Sequence, residues 1–593
     1  MSRKSLPILA CLACLFAFDA AAAAQSGGSS NTREITVDLS RVEGPHSRVP
    51  LMVVGAGRAN EGLRADWQQQ LGEVQKDIGF RYIRMHGLLH DDMGVYSEDS
   101  TGHPLYNFQY IDALYDALLS LKIRPFVELG FMPAKLASGD KTIFWWKGNV
   151  TPPRDPAKWS GLIHALIAHW RERYGEEEIE SWYYEVWNEP DLSGFFTGTL
   201  EDYLSLYKTT VEAIKAECPA CRVGGPASAI PYKYEQEFVK YCAANHVAVD
   251  FVSTHAYGVK QGYLDQDGTA GTILDPSPDA VSGRMRHSRE LLQQSALPRL
   301  ELHFTEWSSA YTPTDFMHDQ YHQASFILDK VKRAAPYVDS MSYWTFTDIF
   351  EEGGPRFTPF HGGFGLMNYQ GIRKPSFYAY EYLSRLGTTD VVDPDAQSWV
   401  TKSDGQVQVL LWDYSPQVPP AGENDQSYYK RDLPARENGL VHLSLSHVTN
   451  GRYALAIYRI GYKMNDAYTD YLAMGAPSQL TPRQVKYLKE KDSGAAVSES
   501  EVDVTDGRIS YDLPLRTNDV YLLLLTNISN CPGPVRAPQF IFAKGPTGLD
   551  SMRICSAALP LAGTSNLLAG SGLNEICIIS PCDPFYLPSS AWH

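Results

Sequence analysis

Two stretches of the chain end in carboxylates where carboxylates are costly. "SWYYEVWNEP", Ser181 to Pro190, runs through apolar and aromatic side chains to Trp187 and then presents Asn188 and Glu189, while "LELHFTEW", Leu300 to Trp307, presents Glu306 in the same way. Each run reads as a buried strand, because bulky and β-branched residues dominate it. An ionised carboxylate in such a place is unfavourable by several kcal/mol unless it is paired. The bland explanation is a salt bridge from each glutamate to a nearby arginine such as Arg84. The chemical explanation is a facing pair, one carboxyl kept protonated to donate to a departing oxygen and the other ionised to attack the carbon left behind. That is the chemistry of glycosidic bond cleavage, and a separation of about 5 Å would give retention through a covalent intermediate.

The elements that must hold such a pair are legible in the pattern. From about Leu51 to Leu386, eight short apolar runs alternate with helical stripes: "LMVVGAG", "RYIRMHG", "IRPFVELG", "SWYYEVWNEP", "RVGGPAS", "VDFVSTHAYG", "LELHFTEW" and "SMSYWTFTD". Between the first two, Leu63, Trp67, Leu71, Val74 and Ile78 recur at spacings of three and four, the mark of an amphipathic helix. Eight strand-helix units predict an α/β fold, a (β/α)8 TIM barrel over residues 51–387, whose catalytic groups sit at the C-terminal strand ends. Those ends carry His86, Asn188 with Glu189, His255 with Tyr257, Glu306 and Trp344. A doubly wound sheet is the competing architecture, but "GAGRANEG", Gly55 to Gly62, lacks the glycine register of a dinucleotide loop.

Beyond about residue 390 the texture changes to period-two strands such as "VQVLLWDY", "GRYALAIYRI" and "NDVYLLLLTN". They predict an accessory antiparallel β-sandwich from residues 34–50, which begin within "REITVDLS", together with 388–530. Residues 1–24 read as a secretory signal: Arg3 and Lys4, an apolar stretch from Leu6 to Phe18, then an alanine run. The expected protein is exported, periplasmic or extracellular, without membrane insertion. Residues 531–593 are low in charge and without periodicity, and read as a poorly ordered tail. A net charge of -17 argues against nucleic acid as a partner. Of nine cysteines, Cys218 and Cys221 form "CPAC", read as a surface loop holding either a local disulfide or two free thiols.

Taken together, "VWNEP", "FTEW", "RMHGLLHDDMGVY", "WWKGNVTPP", "STHAYG", "YWTFTDIFEEGG", "FHGGFGLMN" and "YRIGYKMNDAYTDYLAMGAPSQLT" resemble glycoside hydrolase family 39 over roughly residues 34 to 527. That family includes β-xylosidases and α-L-iduronidases. The resemblance implies that Glu189 is the general acid/base and Glu306 the nucleophile, with Asn188 on the sugar 2-hydroxyl. It further implies that His86, His255 and Tyr257 line the sugar site, that Glu351 and Glu352 bind sugar hydroxyls, and that Trp344 is an apolar platform. No cofactor and no metal are expected. The motif match is to the bacterial xylosidases, so the expected activity is that of a retaining exo-β-D-xylosidase acting on xylo-oligosaccharides or a related glycoside. A glycosidase of another specificity, for arabinosides, glucosides, uronides or an exopolysaccharide, is the alternative, and a non-catalytic carbohydrate-binding barrel a remoter one.

Several neighbours carry competing readings. His86, His90, Asp91 and Asp92 could be a metal cluster, but no third ligand follows at matching spacing. Trp145 and Trp146 are either loop packing or subsite walls. Glu128 reads as a structural ion-pair partner and stays outside the expected site. Glu185 shares the face of Glu189 one layer deeper and needs a partner, whereas strand alternation places Glu301 on the face opposite Glu306. Asp191, two residues past Glu189, is met with the same reserve. A uronate substrate would need a cation aimed at its carboxylate. The strand ends offer none, although Lys260, Arg284 and Arg286 follow strand six.

Overall fold

The computed structural model describes residues 32–529 apart from 231 and 265–269. The signal expected at 1–24 and the tail expected at 531–593 lie outside the described residues. Eight parallel strands close into a barrel in sequential order: β1 (Val53–Arg58), β2 (Tyr82–His86), β3 (Arg124–Leu129), β4 (Tyr183–Val186), β5 (Arg222–Ser228), β6 (Phe251–Tyr257), β7 (Glu301–Ser308) and β8 (Ser340–Tyr343). The helices that follow them are α1 (Ala65–Asp77), α2 (Gln109–Ser120), α3 (Pro156–Tyr174), α4 (Leu200–Glu217), α5 (Lys233–Asn245), α6 (Ser282–Gln293), α7 (His322–Ala334) and α8 (Pro375–Ser384). The expected (β/α)8 barrel is therefore present.

Local sequence accounts for these elements. In α3 the Asp155 side chain accepts from the N–H groups of Ala157 and Lys158, proline opens the helix, and Gly175 ends it. Its buried face, Trp159, Leu162, Ile163, Leu166, Ile167 and Trp170, repeats at three and four and packs on the barrel wall. Within the barrel, Val53, Tyr82, Phe126, Tyr183 and Phe251 form an apolar floor. The layer above it is polar, because two residues further along β2, β3 and β4 stand Arg84, Glu128 and Glu185, all fully buried.

The C-terminal region forms two sheets. One has seven strands in the order Val42–Pro45, Thr389–Val391, Ser398–Ser403, Gln406–Trp412, Val520–Asn527, Gly451–Ile460 and Ser498–Val504. The other joins Thr32–Asp38, Glu437–Ser446 and Arg508–Arg516, and here the first pairing is parallel. The larger sheet is buried on both faces: Tyr453, Leu455 and Ile457 meet the smaller sheet, whereas Ala456, Tyr458 and Ile460 join the core of the barrel. That double burial explains why the first six residues of "VYLLLLTN" are an unbroken apolar run instead of alternating. The stretch "YKMNDAYTDYLAMGAPSQLT" contributes a helix, Ala467–Ala473, ahead of the helix Pro482–Lys491, and these pack Tyr468, Tyr471 and Leu488 against Phe360 and Ile372 of the loop after β8. Cys218 and Cys221 form a disulfide with both residues buried, so only Pro219 and Ala220 of that loop reach the surface.

Candidate active site

The ladder of β4 stops at Val186, earlier than the sequence pattern indicates. Trp187 and Glu189 adopt positive φ, 72° and 46°, and the Glu189 N–H donates to the carbonyl of Ala227 at the end of β5, 2.9 Å away. Left-handed backbone at non-glycine residues is unfavourable and persists where the surroundings enforce it. Here Trp187 is clamped, its ring fully buried against Phe131 and Phe196 and its indole N–H donating to the Phe195 carbonyl at 2.9 Å. The consequence is a tight turn that carries Asn188 and Glu189 into the barrel mouth.

On β7 an extra residue changes the parity of the strand. The register with β6 runs from Thr254 opposite Phe304 directly to His255 opposite Glu306, so Thr305 is a bulge. Thr305 donates to Glu185 at 2.8 Å while Glu306 meets Arg84, which places both side chains inside the barrel. Glu301 also faces inward, at the floor, where it accepts from Tyr183 (2.9 Å) and contacts His303 (3.1 Å). Simple alternation had put Glu301 on the opposite face; the bulge at Thr305 is the reason that it fails. Glu301 nevertheless lies at the far end of the barrel from the mouth.

Arg84 is the hub of the polar layer. It donates to Glu185 (2.6 Å), Glu306 (2.8 Å) and the side-chain Oδ1 of Asn188 (2.8 Å), and lies 3.0 Å from Glu128. This guanidinium is the partner that the bland reading required, yet it holds Glu306 and leaves Glu189 without it. Glu189 instead meets Nδ1 of His255 at 2.8 Å. Burial, reinforced by Asp191, pushes the Glu189 carboxyl up to about 8. Asp191 itself is occupied by the N–H groups of Ala229 and Ile230.

Tyr257 donates to the second oxygen of Glu306 at 2.6 Å, and His255 approaches that oxygen to 3.6 Å. Burial holds both histidines neutral, with His86 pushed down to about 3 and His255 to about 4. One oxygen of Glu189, one of Glu306 and a ring nitrogen of His255 lie within 4.8 Å of one another. That trio has the composition of a divalent-metal site. The Arg84 guanidinium 2.8 Å from Glu306 already supplies the positive charge there, which disfavours a cation. His86, His90, Asp91 and Asp92 do not converge: His90 pairs with Asp92, Asp92 with Arg58, and Asp91 accepts from the Ala134 N–H.

The loop after β8 brings Trp344 and Glu352 to the same mouth and takes Glu351 elsewhere. The Trp344 ring lies 4.7 Å from that of His86, and Glu352 comes within 3.5 Å of His86 Nε2. Burial, then the charge of Glu306, drives the Glu352 carboxyl well above its usual range. Glu351 binds Arg58 (3.0 Å) and Arg64 (3.1 Å), so its carboxylate is committed to protein. Gly55 of β1 sits beneath Trp344, where a Cβ would come to 2.3 Å from the ring; close packing, not phosphate binding, explains a glycine there. Trp146 is buried beside His90 and Arg58, whereas Trp145 is 57% exposed at the rim and its backbone N–H donates to the Glu352 carbonyl.

Glu128 is the ion-pair partner that the sequence indicated, 3.0 Å from Arg84, but the sequence left it outside the site, whereas it meets His86 at 2.6 Å while Arg84 holds Glu306. The signal was present: Arg84 lies two residues before His86 on β2, and Glu128 near the end of β3, so both face inward by parity.

A parallel barrel presenting two glutamates at this spacing has the architecture of a glycoside hydrolase, and comparison with known proteins agrees. Residues 33–506 match the pattern of glycosyl hydrolases family 39. The beta-xylosidase of Geobacillus stearothermophilus is 38% identical over 487 residues, 80% of this chain and 92% of that protein. Among solved structures, the GH39 enzyme from Xanthomonas axonopodis pv. citri has a TM-score of 0.81 at 43% identity, covering 84% of this chain and 97% of that one. The monomeric beta-xylosidase from Caulobacter crescentus CB15 also has a TM-score of 0.81, at 42% identity over 84% of this chain and 100% of that one. The chain belongs to glycosyl hydrolases family 39 and is a glycoside hydrolase.

Proposed function

We propose that the protein is a retaining exo-β-D-xylosidase that releases xylose from the non-reducing ends of xylo-oligosaccharides, with Glu306 as nucleophile and Glu189 as acid/base. The observation that carries this reading is the approach of the two carboxyl groups, one oxygen of each within 4.8 Å. Inverting enzymes need about 6.5–9.5 Å between carboxyl groups to seat a water, whereas retaining ones stand about 5–5.5 Å apart. Their environments differ in the sense the mechanism requires. Glu189, pushed up to about 8, holds a proton at neutral pH, and Glu306 is anchored for attack by a charge-assisted bond from Arg84 and a bond from Tyr257.

In the first step Glu306 attacks the anomeric carbon while Glu189 protonates the departing oxygen. In the second, Glu189 takes a proton from water, which displaces Glu306 and regenerates both groups. Because Arg84 fixes Oδ1 of Asn188, its side-chain amide nitrogen Nδ2 is the atom available to the sugar 2-hydroxyl. Trp344 offers its ring to the apolar face of the sugar.

A neutral pentose suits this mouth better than a uronate, because the cation beside the nucleophile, Arg84, is already shared among Glu128, Glu185 and Glu306 and is not free to take a substrate carboxylate. Arg284 donates to the Ala229 carbonyl, Arg286 lies 3.6 Å from Asp279, and Lys260 is exposed on a strand beyond β6. The beta-xylosidases among the relatives support the same glycone. The signal-like segment 1–24 supports an exported enzyme. A panel of aryl glycosides tests the glycone: kcat/KM for the β-D-xyloside should exceed that for the glucoside, arabinoside and iduronide by ~10-fold or more. A higher value for any of those would overturn the xylosidase assignment.

A further inference from the structure

His86 is held in a sandwich that leaves one question of protonation. Its Nδ1 lies 2.6 Å from Glu128 Oε2, while Nε2 lies 3.5 Å from Glu306 Oε1 and 3.5 Å from Glu352 Oε1. The rings of Trp344, Phe131 and Phe144 pack around the imidazole at centroid distances of 4.7, 6.0 and 6.0 Å, so it cannot turn away. A neutral imidazole carries one N–H. Placed on Nδ1, that hydrogen satisfies Glu128 but aims the bare Nε2 lone pair at the oxygens of Glu306 and Glu352. Placed on Nε2, it serves the mouth, and a proton must then lie between Nδ1 and Glu128 for that 2.6 Å contact to be a hydrogen bond.

The charges favour the second arrangement. Glu128, Glu185 and Glu306 share the single cation of Arg84, and Glu128 Oε1 finds no hydrogen-bond partner among the described residues. An ionised Glu128 would add an uncompensated buried charge. Burial, outweighing the pull of Arg84 and the Gly87 N–H, lifts the Glu128 carboxyl to about 8, and burial keeps His86 neutral. The charged and titratable groups facing the pair are Arg84, Glu185, Glu189, His255, Glu306 and Glu352.

We infer that Glu128 and His86 share one proton, that this sharing fixes His86 as an Nε2–H donor between Glu306 and Glu352, and that Glu128 is thereby a positioning residue for the sugar site. The inference rests on the proposed glycosidase reading and extends it. The donor would bind a sugar hydroxyl beside the nucleophile, and it is withdrawn when the pair loses its proton.

Histidine-selective 15N spectra of the intact enzyme test this directly, with His86 assigned by its absence in His86→Gln. The expected result at pH 7 is a proton on Nε2 and none fixed on Nδ1, converting to Nδ1–H as pH rises through about 8. A bare Nε2 at pH 7 would overturn the inference, and this readout needs no substrate. The second readout is kcat/KM for an activated aryl xyloside in Glu189→Ala, where leaving-group protonation no longer contributes an alkaline limb. A limb should remain there and vanish in Glu189→Ala/Glu128→Gln, because glutamine has no proton to lose. A limb unchanged by Glu128→Gln refutes the shared proton. Failure to cleave any xyloside refutes the xylosidase reading instead, leaving the spectra to decide the proton.

Discussion

Replacing Arg84 with methionine removes the only positive charge in contact with Glu128, Glu185 and Glu306 among the described residues, and the size of the effect follows from the geometry. The guanidinium is fully buried, 2.6 to 3.0 Å from the three carboxyls. Without it, one further carboxyl of the cluster must take up a proton to avoid an uncompensated buried charge. For a glutamate with the ordinary value of 4.5, holding that proton costs about 3.4 kcal/mol at pH 7 and about 0.7 kcal/mol at pH 5, at about 1.36 kcal/mol per pH unit. Arg84→Met should therefore lose about 3 kcal/mol of stability at pH 7 and recover most of it at pH 5. Urea unfolding of both proteins, followed by tryptophan fluorescence at the two pH values, measures it. A deficit below about 1 kcal/mol at pH 7, or one that does not shrink on acidification, would show that Arg84 is not the counter-charge of the cluster. The same variant should lose ~100-fold or more in kcat/KM, since Glu306 and Asn188 both lose their anchor.

Three further outcomes are expected. Glu189→Ala should lose ~10²- to 10⁴-fold on xylosides with poor leaving groups and far less in kcat/KM on activated aryl xylosides; equal losses on both would contradict proton donation. Glu61, Glu128 and Glu189, each raised from 4.5 to about 8, bind protons in the native state that the unfolded state has released across that interval. Their stabilising contribution is complete below about 4.5 and is lost as pH rises to about 8, so unfolding midpoints should fall over that range and Glu128→Gln should flatten the slope. Dialysis against EDTA should leave activity unchanged, because Arg84 occupies the charge position that a metal at Glu189, His255 and Glu306 would need; loss restored by a divalent ion would refute this.

The barrel was legible because its strands are short aromatic and β-branched runs separated by helical stripes, and because polar residues at the strand ends stand out against them. What the pattern missed were departures from regular geometry. A bulge such as Thr305 leaves no compositional trace, so alternation misplaced the inward face of Glu301. The turn at Trp187 and Glu189 depends on a distant clamp, Phe131 with Phe196, that no local propensity encodes. The role of Arg84 is tertiary in the same sense, since its partners lie on β3, β4, β7 and the turn beyond β4. The parallel pairing of Thr32–Asp38 with Glu437–Ser446 joins segments some four hundred residues apart, beyond the reach of a period-two signal.

In the proposed double displacement a carboxylate oxygen of Glu306 attacks the anomeric carbon and Glu189 protonates the departing oxygen. Incubation with an activated 2-deoxy-2-fluoro-xyloside, followed by peptide mapping by mass spectrometry, tests it most directly. The expected result is a stoichiometric fluoroxylosyl ester on Glu306 and, with an ordinary aryl xyloside, a first-formed product of retained configuration. A label on any other residue, or an inverted first product, would contradict it.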